Sequence, residues 1–286
     1  MAISTTSIAP MVNTNANIQA WVAFFDTILT NAGWIQTSDT GQTASGSFIA
    51  NTTPNTPVGY QIWRMNDSLQ GTYPIFVKFE WGTASLSGYP SLWITIGTGS
   101  NGSGTITGVM VARIQQSNPG SSVTTFPCYA SGTTSRFTIY SYYTAVTSAT
   151  GMFLNIERTK DSTGADTNDG ILWCFFCCGS GYAHGYSQYG NLGKITNAMP
   201  MVASYMSGSG SDGSATTMLM PIIEFATYGT VNTGIGVLAY ATADLNTANQ
   251  YTVNVSGTNH NYLAIAGYSQ AAFVNWAATS LAMIYE

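Results

Sequence analysis

The densest set of metal-capable side chains in this chain is a run of ten residues, Asp161-Ser-Thr-Gly-Ala-Asp166-Thr-Asn-Asp169-Gly170. Carboxylates crowded into one loop are the chemistry of a Ca²⁺ site. A helix–loop–helix calcium loop closes on a bidentate Glu, however, and the order here does not match one. The run therefore predicts the solvated tip of a β-hairpin, with no metal assigned. The cysteines are Cys128, Cys174, Cys177 and Cys178. Cys174 and Cys177 make one C-x-x-C, with no second pair and no His at finger spacing. It lies in an apolar run, where no helix start is at hand to activate a thiol. Four cysteines this bunched do not make a disulfide framework. They are expected to be free thiols, with Cys174 to Cys178 filling a buried strand, and no cofactor follows from them.

Acid–base chemistry has few candidates. His184 and His260 are the two histidines, in Gly-Tyr-Ala-His-Gly-Tyr and Asn-His-Asn-Tyr. Neither stands in a Ser-His-Asp order or a nucleophile elbow. Glycoside hydrolysis needs two carboxyl groups about 5 to 10 Å apart. Glu80, Glu157 and Glu224 are available, and nothing in their spacing selects a pair. The run Gly97-Thr-Gly-Ser-Asn-Gly-Ser-Gly104 has the glycines of a phosphate loop but lacks the closing Lys-Ser/Thr. It also stands between strand-like runs with no helix to supply a dipole, and so predicts a hairpin or assembly loop. No catalytic residue is assigned.

Seventeen tyrosines and seven tryptophans remain. Such rings give large contact area at little entropy cost, which suits protein interfaces and sugar sites alike. Tyr182, Tyr186 and Tyr189 are the candidates for an exposed contact loop; alternatively their rings close one end of the fold.

The background against which these residues stand is almost free of charge. Lys, Arg, Asp and Glu make up 7% of 286 residues, where a soluble domain carries about a quarter. Seven cations cannot build the field that nucleic acid or an anionic membrane requires, and the net charge of −5 is spread thinly. A surface of Ser, Thr, Asn, Gly and Tyr is wet without being charged. It can meet other protein copies without the desolvation cost of buried ions, and it gives a monomer little protection against association. The longest apolar stretch, Ile171 to Cys178, is far short of the roughly 20 residues of a membrane helix. Residues Met1 to Asn15 lack the basic and apolar regions of a secretory leader.

One helix must be positioned early. Ile18, Trp21, Val22, Phe25, Ile28 and Leu29 recur at helical spacing, with Asn15 or Asn17 to cap the start and Gly33 to end it. The stripe covers either the chain's own sheet or a neighbouring subunit. Trp21 and Phe25 are on the second reading the candidate assembly interface. After Gly33 the period changes to two. Val58–Ile62, Ile75–Trp81, Leu92–Ile96, Ile106–Ile114, Arg136–Tyr143, Met152–Lys160 and Gly170–Cys178 read as strands. Leu219–Tyr228, Ile235–Tyr240, Tyr251–Val255 and Tyr262–Ala266 continue the series, and Ala271–Tyr285 fits helix or strand. The expectation is a mainly β protein, a β-sandwich or related all-β fold with one N-terminal amphipathic helix. Its expected parts are an arm and helix at 1–35, a main β domain at 36–206 and a C-terminal β portion at 215–286 packed on the same domain; the Gly/Ser stretch Ser207–Ser214 lies between.

The segment Gly33 to Gly108 carries a resemblance. Gly33-Trp-Ile-Gln-Thr-Ser-Asp-Thr-Gly-Gln42, Gly59-Tyr-Gln-Ile-Trp-Arg-Met-Asn-Asp67, Pro74-Ile-Phe-Val-Lys-Phe-Glu80 and Pro90-Ser-Leu-Trp-Ile-Thr-Ile-Gly97 are similar to stretches of virion structural proteins of tailed bacteriophages. The resemblance implies a structural role and brings no site residues. Together with composition it leads to the expectation of a non-enzymatic virion subunit, in the tail, neck or capsid surface. Its partners would be copies of itself and other virion proteins. The alternatives are a host-attachment module binding a surface glycan and a virion-associated glycan hydrolase.

Overall fold

In the computed structural model, residues 1–8, 12–83, 90–117, 126–143, 150–161, 163–177, 182–188, 219–225, 231–241, 249–255, 257–264 and 279–286 are described. The chain opens with strand β1 (Ala2–Ile8), followed by helix α1 (Asn15–Asn31). Thr14 caps the helix, its hydroxyl accepting from the Asn17 N–H, where sequence reading placed Asn15 or Asn17. The two asparagines act nearby instead: Asn15 accepts from the Ala50 N–H and Asn17 donates to the Val12 carbonyl. At the other end Gly33 has φ +87°, which only glycine adopts without strain. The Trp34 N–H returns to the Leu29 carbonyl and that of Gly33 to Thr30, satisfying carbonyls the helix leaves open.

A five-stranded antiparallel sheet follows: β2 (Ile35–Gln36), β3 (Thr56–Arg64), β4 (Phe76–Thr83), β5 (Pro90–Ser100) and β6 (Ile106–Ser117), in that order. Alternation decides its faces. Val77, Phe79 and Trp81 on β4 and Leu92, Ile94 and Ile96 on β5 are fully buried in the core. The second sheet begins with β7 (Phe126–Thr133), β8 (Arg136–Tyr143), β9 (Thr150–Lys160), β10 (Asp166–Cys177) and β11 (Tyr182–Gln188), with β1 paired outside β7. It adds Phe137, Ile139, Leu154, Ile156, Trp173 and Phe175 to the same core.

Helix α1 joins the two sheets. The Phe25 ring lies 5.3 Å from Phe79 and 5.4 Å from Trp81 on one sheet, and 5.2 Å from Phe137 on the other. Trp21 and Phe25 are 1% and 0% exposed. They are core residues of their own chain, so the assembly-interface reading of this pair is corrected: the sandwich needs the helix to fill the space between its layers. Gln19 is also engaged, donating to the Phe48 carbonyl at 2.8 Å.

The remaining strands are β12 (Leu219–Phe225), β13 (Val231–Ala241), β14 (Gln250–Val255), β15 (Thr258–Ala264) and β16 (Thr279–Ile284). They pair in the order β12-β13-β16-β15-β14, and one bridge, Thr233 to Lys160, connects them to β9. The C-terminal segment left open between helix and strand is a strand over Thr279–Ile284, and 265–278 lie outside the described residues. So does Ser207–Ser214, the stretch proposed as a boundary.

Candidate functional site

Strand β9 carries the most unusual chemistry. Ile156 and Leu154 point into the sandwich, so Asn155 and Glu157 occupy the outer face of the sheet. That face is where β13 crosses. Glu157 is 2% exposed and its carboxylate accepts from the backbone N–H of Gly236 at 3.0 Å and of Ile235 at 3.2 Å. Asn155 donates to the same carboxylate at 3.2 Å and accepts from the Thr138 hydroxyl at 2.7 Å. A Cβ on Gly236 would stand 2.5 Å from the Asn155 side-chain oxygen, and one on Gly234 would stand 2.2 Å from Glu157. Glycine is thus the residue that lets the β13 backbone approach.

Arg136 stands opposite Glu157 in the β8–β9 register and is 3% exposed. Burial pulls its guanidinium below its ordinary value, against the field of Glu157 and Glu286. Burial likewise pushes the Glu157 carboxyl up, against Lys160, Arg136 and the Gly236 N–H. The Tyr262 hydroxyl, raised mainly by burial and then by Glu157, donates to the Ile235 carbonyl at 2.7 Å. At the end of the chain Glu286 accepts from the Asn261 N–H and meets His260 Nδ1 at 2.7 Å. This seam fastens the C-terminal sheet to the sandwich. Its central acid and base, Glu157 and Arg136, are sealed from solvent.

Two of the three candidate glutamates, Glu80 and Glu157, are not brought together. Phe79 and Trp81 face inward, which puts Glu80 on the outer face of the five-stranded sheet, and Glu157 lies on the outer face of the other sheet. The core therefore separates them. Glu80 is held by Arg113 at 2.8 Å and Lys78 at 3.5 Å, and those cations lie over Trp93 and Tyr60. Glu224 falls on β12. On the sandwich's core side Arg158, 1% exposed, grips the Asp67 carboxylate with two nitrogens.

The aspartate run is a hairpin, as its sequence predicts, with a tighter turn: residues 161–165 connect β9 to β10, and Asp166 already belongs to the strand. Asp161 Oδ1 accepts from the Thr163 hydroxyl and the Ala165 and Thr163 N–H groups, which hold the carboxyl below its usual range. Asp166 pairs with Lys160. Among the described residues no cluster of three His, Cys, Asp or Glu side chains is placed to hold a metal. Cys128 and Cys174 are buried thiols, on β7 and β10. The glycine run forms the β5–β6 hairpin, and Asp39 fastens it, accepting from Ser100 at 2.7 Å and the Gly104 N–H at 3.1 Å. Burial pushes Asp39 up, but these bonds and that from Thr37 outweigh it and hold the group below the ordinary range.

Tyr182 and Tyr186 lie on β11, opposite Phe176 and Leu172 of β10. The loop expected there is corrected to a strand, because the Tyr-x-x-x-Tyr stretch completes a hairpin with β10; Tyr189 lies outside the described residues. His184 is on the same strand, opposite Cys174. Sequence reading missed Arg136, Asn155, Gly234, Gly236, Tyr262 and Glu286 as one cluster. The legible signal was Gly234-Ile-Gly236 inside an apolar strand, since paired glycines there mark close backbone approach. No helix among the described residues is long and apolar enough to cross a membrane. No protein-family model and no curated protein matches the chain.

Proposed function

We propose that this chain is a non-enzymatic structural subunit of a tailed-bacteriophage virion, in the tail, neck or capsid surface, that works by assembling with copies of itself and with other virion proteins. The observation that carries the reading is how the chain uses its few charges. Of its seven cations, Arg158 grips Asp67, Lys160 pairs with Asp166, Lys78 and Arg113 hold Glu80, and Arg136 is sealed beside Glu157. Charge is spent on internal fastening, which leaves a surface of hydroxyls and amides suited to close protein contact. The resemblance across Gly33 to Gly108 supports the same reading.

A glycan-binding role has less support, because Trp21, Trp34, Trp63, Trp81, Trp93 and Trp173 are all buried and cannot act as sugar platforms. Proteomic detection in purified phage particles, with antibody labelling by electron microscopy, tests the proposal. The chain should occur at a fixed copy number in the particle. Its absence from purified virions overturns the reading, and specific glycan cleavage by the purified protein moves it to the hydrolase alternative.

A further inference from the structure

Edge strands expose a row of unpaired N–H and C=O groups, and proteins usually blunt them with charge, proline, a bulge or shortness. Several edges here are blunted. Strand β2 is two residues long, β12 carries Pro221 and a break in register, and β6 pairs irregularly with β5 at two places. Strand β1 differs. It ends the order of its sheet and runs through seven unbroken pairs with β7, from Ala2–Gly132 to Ile8–Phe126. Residues 1–8 contain no charged side chain and no proline. Met1 is 80% exposed and Ile3 53%. Among the described residues no strand lies on its other side.

We propose that the free edge of β1 pairs antiparallel with β1 of a second copy of this chain, about a two-fold axis at Thr5. The proposal rests on the assembly reading above and names its interface. A two-fold axis normal to the sheet requires the paired residue numbers to sum to an even number, because facing residues must share a side of the sheet. Centring on Thr5, the midpoint of Ala2–Ile8, places Thr5 opposite itself, Ser4 opposite Thr6, Ile3 opposite Ser7 and Ala2 opposite Ile8 of the second copy. All seven residues are then paired. Each row sets an uncharged residue against another, so two copies meet without like-charge repulsion, and Ile and Thr favour the extended chain. A charged partner strand would find no complement on this edge. The edge is only about 23 Å long at roughly 3.3 Å per residue, so pairing is weak in dilute solution and grows with concentration.

The test is sedimentation of the full chain from low micromolar to near-millimolar concentration, with amide hydrogen exchange at both ends of that range. Expected are a concentration-dependent dimer and slower exchange at alternate amides of residues 2–8. Ile3→Lys, at an exposed position, should keep the parent's melting point and weaken association roughly tenfold or more, as charge on an edge blocks pairing. Thr252→Lys, on the β14 edge, should leave association unchanged. A protein that stays monomeric throughout, an Ile3→Lys variant that associates like its parent, or loss of association in Thr252→Lys instead overturns the proposal. The two readings fail separately. A chain present in virions but without β1 pairing removes this interface only, whereas β1 pairing by a chain absent from virions removes the virion role.

Discussion

Truncating Phe25 to alanine is the sharpest perturbation of the core. The side chain is 0% exposed and its ring contacts Phe79, Trp81 and Phe137, with Trp21 at 6.5 Å on the same helix. Phe-to-Ala changes in packed cores cost roughly 3 to 5 kcal/mol, the larger values where surroundings cannot collapse into the cavity. Here the surroundings are stiff aromatic rings on two separate sheets, and aromatic pairs add roughly 0.5 to 1.5 kcal/mol each beyond burial. The upper part of the range is therefore expected, a large share of a total stability of about 5 to 15 kcal/mol. At about 2 to 4 °C per kcal/mol for a protein of this size class, the melting point should fall by about 10 °C or more. Urea titration followed by tryptophan fluorescence reads the loss independently. Thr27→Ala on the exposed side of α1 is the control, because its hydroxyl bonds only back to the Ala23 carbonyl. A Phe25→Ala protein that unfolds with its parent but fails to enter particles refutes the core placement and returns the stripe to a subunit interface.

The seam beneath β13 gives a second test: Gly236→Ala forces a Cβ against Asn155 and Glu157 and should destabilise by roughly 1 to 3 kcal/mol, with hydrogen exchange rising first in β13. A variant as stable and as protected as the parent would show that close approach is unnecessary there. Asp39 sets an acid dependence, because its folded pKa is lowered; its contribution is full above the unfolded carboxylate range and is lost as pH falls through the folded value. Urea midpoints taken from about pH 6 down to about pH 2 should therefore drop less steeply in Asp39→Asn than in the parent. Parallel acid limbs would refute the link. EDTA and dithiothreitol should leave the melting point unchanged, because Asp161 is occupied by its own turn and the Cys128 and Cys174 thiols lie on β7 and β10 with β8 and β9 between them. A large shift with either reagent would restore a calcium site or a disulfide.

Local periodicity exposed the elements well. The stripe from Ile18 to Leu29 is the α1 core face, and the alternation of Val77, Phe79 and Trp81 assigned β4 its inner side. Those signals are written in neighbouring residues. Strands β1 and β7 escaped because Ala2–Ile8 and Phe126–Thr133 are rich in Ser, Thr and small residues, with little apolar alternation; β1 is fixed by pairing across more than a hundred residues, and β7 by that pairing and its hairpin with β8. The charged seam was illegible for a related reason. Glu157, Gly236 and Tyr262 are far apart in the chain, and the bonds among them depend on β13 crossing β9, which no local pattern encodes. Which way the α1 stripe faced was likewise undecidable from spacing, since a core sheet and a neighbouring subunit demand the same apolar face.

The position of α1 between the two sheets also has a consequence for synthesis. The helix leaves the ribosome after β1 but before every other strand that covers it. Phe79 and Trp81 follow within some fifty residues, but Phe137, Ile156 and Trp173 arrive later, roughly 105 to 140 residues beyond the helix. At about 5 to 20 residues per second the wait is on the order of 5 to 30 s, during which an apolar helix face is half covered, and for most of the wait β1 has no β7 to pair with. Such long-range closure is slow and exposes the nascent chain to association before the sandwich shuts. Yield in expression should therefore depend on temperature and chaperone supply far more than the stability of the finished protein would suggest.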